Sequence, residues 1–251
     1  MPMSENLYVK DQKTVVGPVR CLALRGRWDA RATETYLAKA CNGVQWYATE
    51  DDDSCDLLRE VGANLTFLSL RAAKRMSDAS LSELTSLRFL DCLNRGKDAL
   101  EFVRLRQLEQ LAIDDRNDIR GLSSPSLTAV TLSSTRRPVS FFATAPNLRE
   151  LKLQMVGKHP ISLAAELPEL RSLMVLKGSL SSFAGLNAPQ LENITIDGAY
   201  ASGPVDLRPL AHMPALRFVT IGIKNPAEFV GLDALSGRQE VRASVGEVGS
   251  R

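Results

Sequence analysis

Any chemistry in this chain would have to start from two histidines and one acidic run, and neither completes a known reactive arrangement. His159 precedes Pro160, and His212 lies 53 positions further on between Pro209 and Pro214, with no serine or cysteine motif beside either. A nucleophile needs its base within hydrogen-bond reach, and no spacing here supplies one. The run Glu50-Asp51-Asp52-Asp53 with Asp56 carries enough charge for calcium. It lacks the glycine and the distal glutamate that give the helix-loop-helix calcium motif its sharp turn and bidentate closure. It therefore reads as a solvated acidic loop, pairing at the surface with Arg71, Lys74 and Arg75. Gly96-Lys97 would end a phosphate loop only with a glycine five residues earlier, where Asp91 stands. No catalytic residue, metal or cofactor is expected, and the chain reads as a non-enzyme.

Composition narrows the setting. Cys21, Cys41, Cys55 and Cys92 show no C-x-x-C spacing, which fits reduced thiols in the cytoplasm. No apolar run approaches the roughly 20 residues needed to cross a bilayer, and Met1 to Lys10 lacks a basic segment followed by an apolar one. Without a secretory signal, the glycosylation patterns Asn64-Leu65-Thr66 and Asn193-Ile194-Thr195 carry no weight. The 31 basic and 29 acidic side chains leave a net charge of +2, too balanced for a dedicated nucleic-acid binder. The expected partner is a protein, with no nucleic acid and no membrane, and a monomer is expected.

Eight segments read apolar-x-x-apolar-x-apolar. They are Leu65/Leu68/Leu70, Leu87/Leu90/Cys92, Leu108/Leu111/Ile113, Leu127/Val130/Leu132, Leu148/Leu151/Leu153, Leu170/Leu173/Val175, Leu191/Ile194/Ile196 and Leu216/Val219/Ile221. Their starts are 22, 21, 19, 21, 22, 21 and 25 residues apart, a period that implies a solenoid of stacked units. The apolar-x-apolar half predicts a short strand with two side chains inward and one outward. The i, i+3 pairs Leu81/Leu84, Phe102/Leu105, Phe142/Ala145, Ala164/Leu167, Leu210/Met213 and Leu232/Leu235 suit helical or 3₁₀ back turns. Pro125, Pro146, Pro168, Pro189 and Pro214 each stand two residues before a first apolar residue, and should lie within two residues of a strand start.

Weaker units extend the pattern. Val19-x-x-Leu22-x-Leu24, Val44-x-x-Tyr47-x-Thr49 and Arg238-x-x-Val241-x-Ala243 keep comparable spacing. Asp29 to Cys41 reads as a helix capped by Asp29 and stopped by Asn42-Gly43, and Leu7 to Val16 as an edge strand. This gives an N-terminal cap over 1–40, an array over 41–235 and a C-terminal cap over 236–251.

Leu65-Thr66-Phe67-Leu68-Ser69-Leu70, Leu108-Glu109-Gln110-Leu111-Ala112-Ile113 and Asn147-Leu148-Arg149-Glu150-Leu151-Lys152-Leu153 resemble the strand half of leucine-rich repeats. The resemblance covers about Leu65 to Ile221. It implies an α/β fold with one curved parallel sheet of about ten short strands and helical or 3₁₀ back turns. It also implies a protein-binding scaffold that grips its partner on the exposed sheet face. The chain departs from the family at the asparagine-ladder position beyond the last strand residue, which holds Ala73, Arg95, Arg116, Thr135, Val156, Gly178, Ala199 and Lys224.

The outward position before the second apolar residue holds Trp46, Phe67 and Phe89 in consecutive units. At about 4.8 Å between strands they would make an aromatic strip about 10 Å long. With Arg71 and Asp91 beside it, this is the expected partner-binding site. The competing reading tucks the column beneath the N-terminal cap as core, in which case Lys152, Gln154 and Asp197 are the next candidates. An inhibitor or immunity-type protein that occludes a toxin or enzyme, and an effector secreted by a non-standard route, are the alternative functions.

Overall fold

The alternation of apolar and polar residues does form strands. The protein, described here from a computed structural model, is α/β with many mostly parallel strands and few helices. The structure describes residues 6–49, 52, 54–93, 96–116, 118–225 and 227–245. The chain divides into two compact units, Met1–Leu127 and Thr128–Arg251.

The first unit opens with β1 (Asn6–Thr14) and β2 (Gly17–Arg25), an antiparallel hairpin. Helix α1 (Ala30–Ala38) leads to β3 (Gly43–Ala48), β4 (Phe67–Ala72) and β5 (Phe89–Leu93). After the short β6 (Leu100–Glu101) come β7 (Gln110–Asp114) and β8 (Ile119–Arg120). Strands β2, β3, β4, β5 and β7 lie side by side in parallel, and β6 pairs with β8. Their register stacks Leu22, Val44, Leu68, Leu90 and Leu111 in one buried row, and Leu24, Trp46, Leu70, Cys92 and Ile113 in another.

The second unit holds β9 (Ala129–Thr135), β10 (Glu150–Met155), β11 (Ala165–Glu166), β12 (Ser172–Leu176), β13 (Ser179–Ser182) and β14 (Leu186–Asn187). The long β15 (Asn193–Asp206) and the one-turn α2 (Arg208–Ala211) follow, then β16 (Phe218–Ile223), β17 (Phe229–Val230) and β18 (Glu240–Val245). Strands β9, β10, β12, β15, β16 and β18 are parallel neighbours in that order. Val130, Leu151, Leu173, Ile194 and Val219 form one buried row across them.

Short 3₁₀ turns carry Leu81, Phe102, Phe142 and Leu235 into the core, and α2 carries Leu210. The Ala164/Leu167 pair departs from expectation, because its backbone extends into β11 and pairs with β14. The five prolines stand four residues before their strands, not within two. The reason is that the first apolar residue still belongs to a turn: the amides of Leu148, Leu170, Leu191 and Leu216 each donate to the carbonyl three residues back.

Asp29 caps α1 as expected, its Oδ1 accepting from the Ala32 amide at 2.9 Å. The helix ends earlier than Cys41, with Ala40 at φ 49 turning the chain so that the Cys41 side chain enters the core. The unit around Val44 also shifts register. Trp46, not Tyr47, pairs with Leu70, leaving Trp46 1% exposed and Tyr47 57% exposed. The Trp46 ring lies 5.7 Å from that of Trp28, and its Nε1 donates to the Gly26 carbonyl at 2.8 Å. A buried indole needs such an acceptor. Among the described residues, no helix is long and apolar enough to cross a membrane.

Candidate functional site

Alternation turns every second strand residue away from the core, so the outward faces follow directly from the registers. In the first unit one outward column runs Cys21, Gly43, Phe67, Phe89 and Gln110, and the next runs Ala23, Gln45, Ser69, Asp91 and Ala112. The aromatic column is thus interrupted at Gly43, because Trp46 faces the opposite side. Gly43 is required there, since a Cβ would overlap the Val19 side chain.

Phe67 is not free either. The end of the β1–β2 hairpin packs on this face, where Val16, Val19, Cys21 and Phe67 form a small cluster of their own and Phe89 leans on it half-buried. Phe67 is 6% exposed and stacks on Phe89 with ring centroids 4.5 Å apart and planes 8° apart. The hairpin is pinned by Arg88, whose Nη1 donates to the Val16 carbonyl at 2.8 Å. Trp46 and Phe67 are therefore core, and the expected aromatic strip does not exist. Phe89 remains half-buried on the outward side.

Arg71 and Asp91 do meet. Arg71 Nη2 donates to Asp91 Oδ2 at 2.6 Å, and its Nη1 reaches the carbonyls of Leu70 and Asp91. The pair spans adjacent strands and absorbs both charges. Glu50, Asp51 and Asp53, expected to pair with Arg71, lie outside the described residues, as does Arg95. Asp52 is buried, and its Oδ2 accepts from the Thr49 amide and hydroxyl at 2.8 and 3.1 Å. That is a turn-closing contact.

The outward face of the second unit is different. Its columns run Glu150, Ser172, Asn193 and Phe218; Lys152, Met174, Thr195 and Thr220; and Gln154, Leu176 and Asp197. Glu150, Lys152, Thr220 and Asp197 are exposed, and Met174, Leu176 and Phe218 keep part of their surface in water. Apolar side chains thus sit among charges of both signs. Just beyond the C-terminal ends of β10 and β16, Lys158 Nζ lies 4.3 Å and Lys224 Nζ 5.9 Å from the centroid of the Tyr200 ring in β15. Nothing in the sequence brings these three together, because Lys158 and Lys224 lie in turns and Tyr200 inside β15, and strand pairing alone makes them neighbours.

The thiols are all withdrawn from water, Cys21 beneath the hairpin end on the first unit's outward side. All four cysteines are free and buried. Burial pushes the Cys21 and Cys55 thiols up to about 12, and Cys92 well above its ordinary value. His159 is half-buried beside β10 and His212 is exposed at the end of α2. No protein-family profile, curated protein or solved structure matches the chain.

Proposed function

We propose that this protein is a non-enzymatic, cytoplasmic, monomeric scaffold whose strands form a leucine-rich-repeat-like solenoid. It takes a protein partner on the outward face of β10, β12, β15 and β16. One observation carries this reading: Met174, Leu176 and Phe218 stand partly in water at outward positions, ringed by Glu150, Lys152 and Asp197. A core of apolar anchors inside a polar rim is the usual composition of a protein interface. The first unit supports binding less well, because its Phe67 is occupied by the hairpin and its Arg71 by Asp91.

The test is quantitative capture of a cellular partner by wild type and by Met174→Glu/Leu176→Glu, with thermal unfolding of both. Outward charges should leave folding in place and abolish a specific partner, since losing a hot spot costs about 2 kcal/mol or more. Equal capture by the two proteins would exclude this face.

A further inference from the structure

Strands β9, β10, β12 and β16 end on one rim, which β15 continues past, and that rim gathers cations. Arg136 and Arg137 follow β9, Lys158 follows β10, Lys177 follows β12 and Lys224 follows β16. Backbone hydrogen bonds hold these turns in step: Val156 to Thr135 at 3.0 Å, Gly178 to Gly157 at 3.0 Å, Tyr200 to Gly178 at 2.8 Å and Lys224 to Ala199 at 2.8 Å. Tyr200 then draws Lys158 and Lys224 toward one ring from turns that are more than 60 residues apart in the chain.

Two ammonium groups near one ring repel each other, and a cation–π contact returns only about 0.5 to 1 kcal/mol at an exposed site. Among the described residues, Lys158, Lys177 and Lys224 form no ion pair with a carboxylate. All three are exposed, and Lys177 directly follows the outward Leu176 at the end of β12. An unneutralised, positioned group of cations beside apolar surface is complementary to an anionic ligand that also carries an apolar side chain.

We infer that this rim is the docking site for an acidic segment of the partner protein, with carboxylates on Lys158, Lys177 and Lys224 and an apolar side chain against Met174 and Leu176. This rests on the proposed scaffold reading and specifies its partner. A nucleic acid fits less well. Lys158 and Lys224 already approach the Tyr200 ring, which a stacking base would have to share, and the whole chain carries only +2.

The probe is a short fluorescein-labelled glutamate peptide with one central leucine, followed by anisotropy. Its controls are the same peptide with glutamine for glutamate, and oligothymidylate. The glutamate peptide should bind saturably, weaken with added salt and outcompete both controls. Lys158→Glu/Lys224→Glu should weaken it about tenfold or more, and Lys158→Gln/Lys224→Gln by a smaller factor. Absence of saturable binding, equal binding of the glutamine peptide, unchanged affinity in both variants, or tighter binding of oligothymidylate would each overturn the inference. The two readings fail separately. A partner lost in Met174→Glu/Leu176→Glu but fully held by Lys158→Glu/Lys224→Glu removes only the rim. A glutamate peptide held by the rim, with partner capture unchanged in the Met174/Leu176 variant, removes the face and the apolar contact and leaves the cationic rim.

Discussion

Arg116 Nη1 lies 2.6 Å from Asp78 Oδ2, joining the turn after β7 to the turn after β4. Asp78 is 0% exposed and the Arg116 side chain 10%. Asp98 completes the link, its Oδ2 accepting from the Ser77 hydroxyl at 2.6 Å and from the Asp78 amide at 2.7 Å. Gly96 is the residue that lets them meet, since a Cβ there would overlap both the Asp78 carboxylate and the Arg116 guanidinium. A charged tie thus spans these two turns.

Removing one partner of this buried pair strands the other. Arg116→Ala should therefore cost about 3 to 5 kcal/mol in urea unfolding, while the paired apolar replacement Asp78→Leu/Arg116→Met should cost far less. A loss within about 0.5 kcal/mol for Arg116→Ala, the range of an ordinary surface change, would show that the pair does not hold the turns.

Acid should act through Asp98. The Ser77 hydroxyl, then the amides of Asp78 and Ala79 and the Arg116 charge, hold its carboxyl below the ordinary value of 3.8. A folded value below the unfolded one adds stability that is present above the unfolded value and disappears as pH falls through the folded value. Asp98→Asn should flatten the acid limb of a stability–pH curve. Parallel acid limbs for wild type and variant would contradict this.

Leu151 and Lys152 are chain neighbours on opposite sides of β10, the first buried and the second exposed. Leu151→Ala should cost about 2 to 5 kcal/mol and Lys152→Ala about 0.5 kcal/mol or less. Similar melting temperatures for the two variants would mean that the register is wrong.

The thiols offer an alkaline test. With Cys21 and Cys55 raised to about 12, the folded chain keeps them protonated where the unfolded chain ionises near 9.0. Stability should fall as pH rises through that unfolded value. In mildly alkaline buffer the folded protein should react slowly with a thiol reagent, and all four thiols quickly once denatured. Rapid labelling of Cys55 in the native protein would refute the burial described here.

The parallel strands were legible from residue types alone. Leu68, Leu90 and Leu111, or Leu151, Leu173 and Ile194, recur at nearly constant spacing because each must enter a core beside its predecessor, and that requirement is written along the chain. Outward positions were legible on the same basis, and so were Lys152, Gln154 and Asp197 as a second choice. The choice between Trp46 and Tyr47 was not, since a three-residue shift in spacing leaves both patterns apolar. Pairing with Leu70, packing on Trp28 and an acceptor at Gly26 decided it. Phe67 looked like an anchor because nothing local shows that the hairpin end at Val16, some fifty residues earlier, will cover it. Lys158, Tyr200 and Lys224 became neighbours only through strand pairing. Burial periodicity is a local property that repeats, whereas cover and convergence arise between distant segments and exist only once the chain has folded.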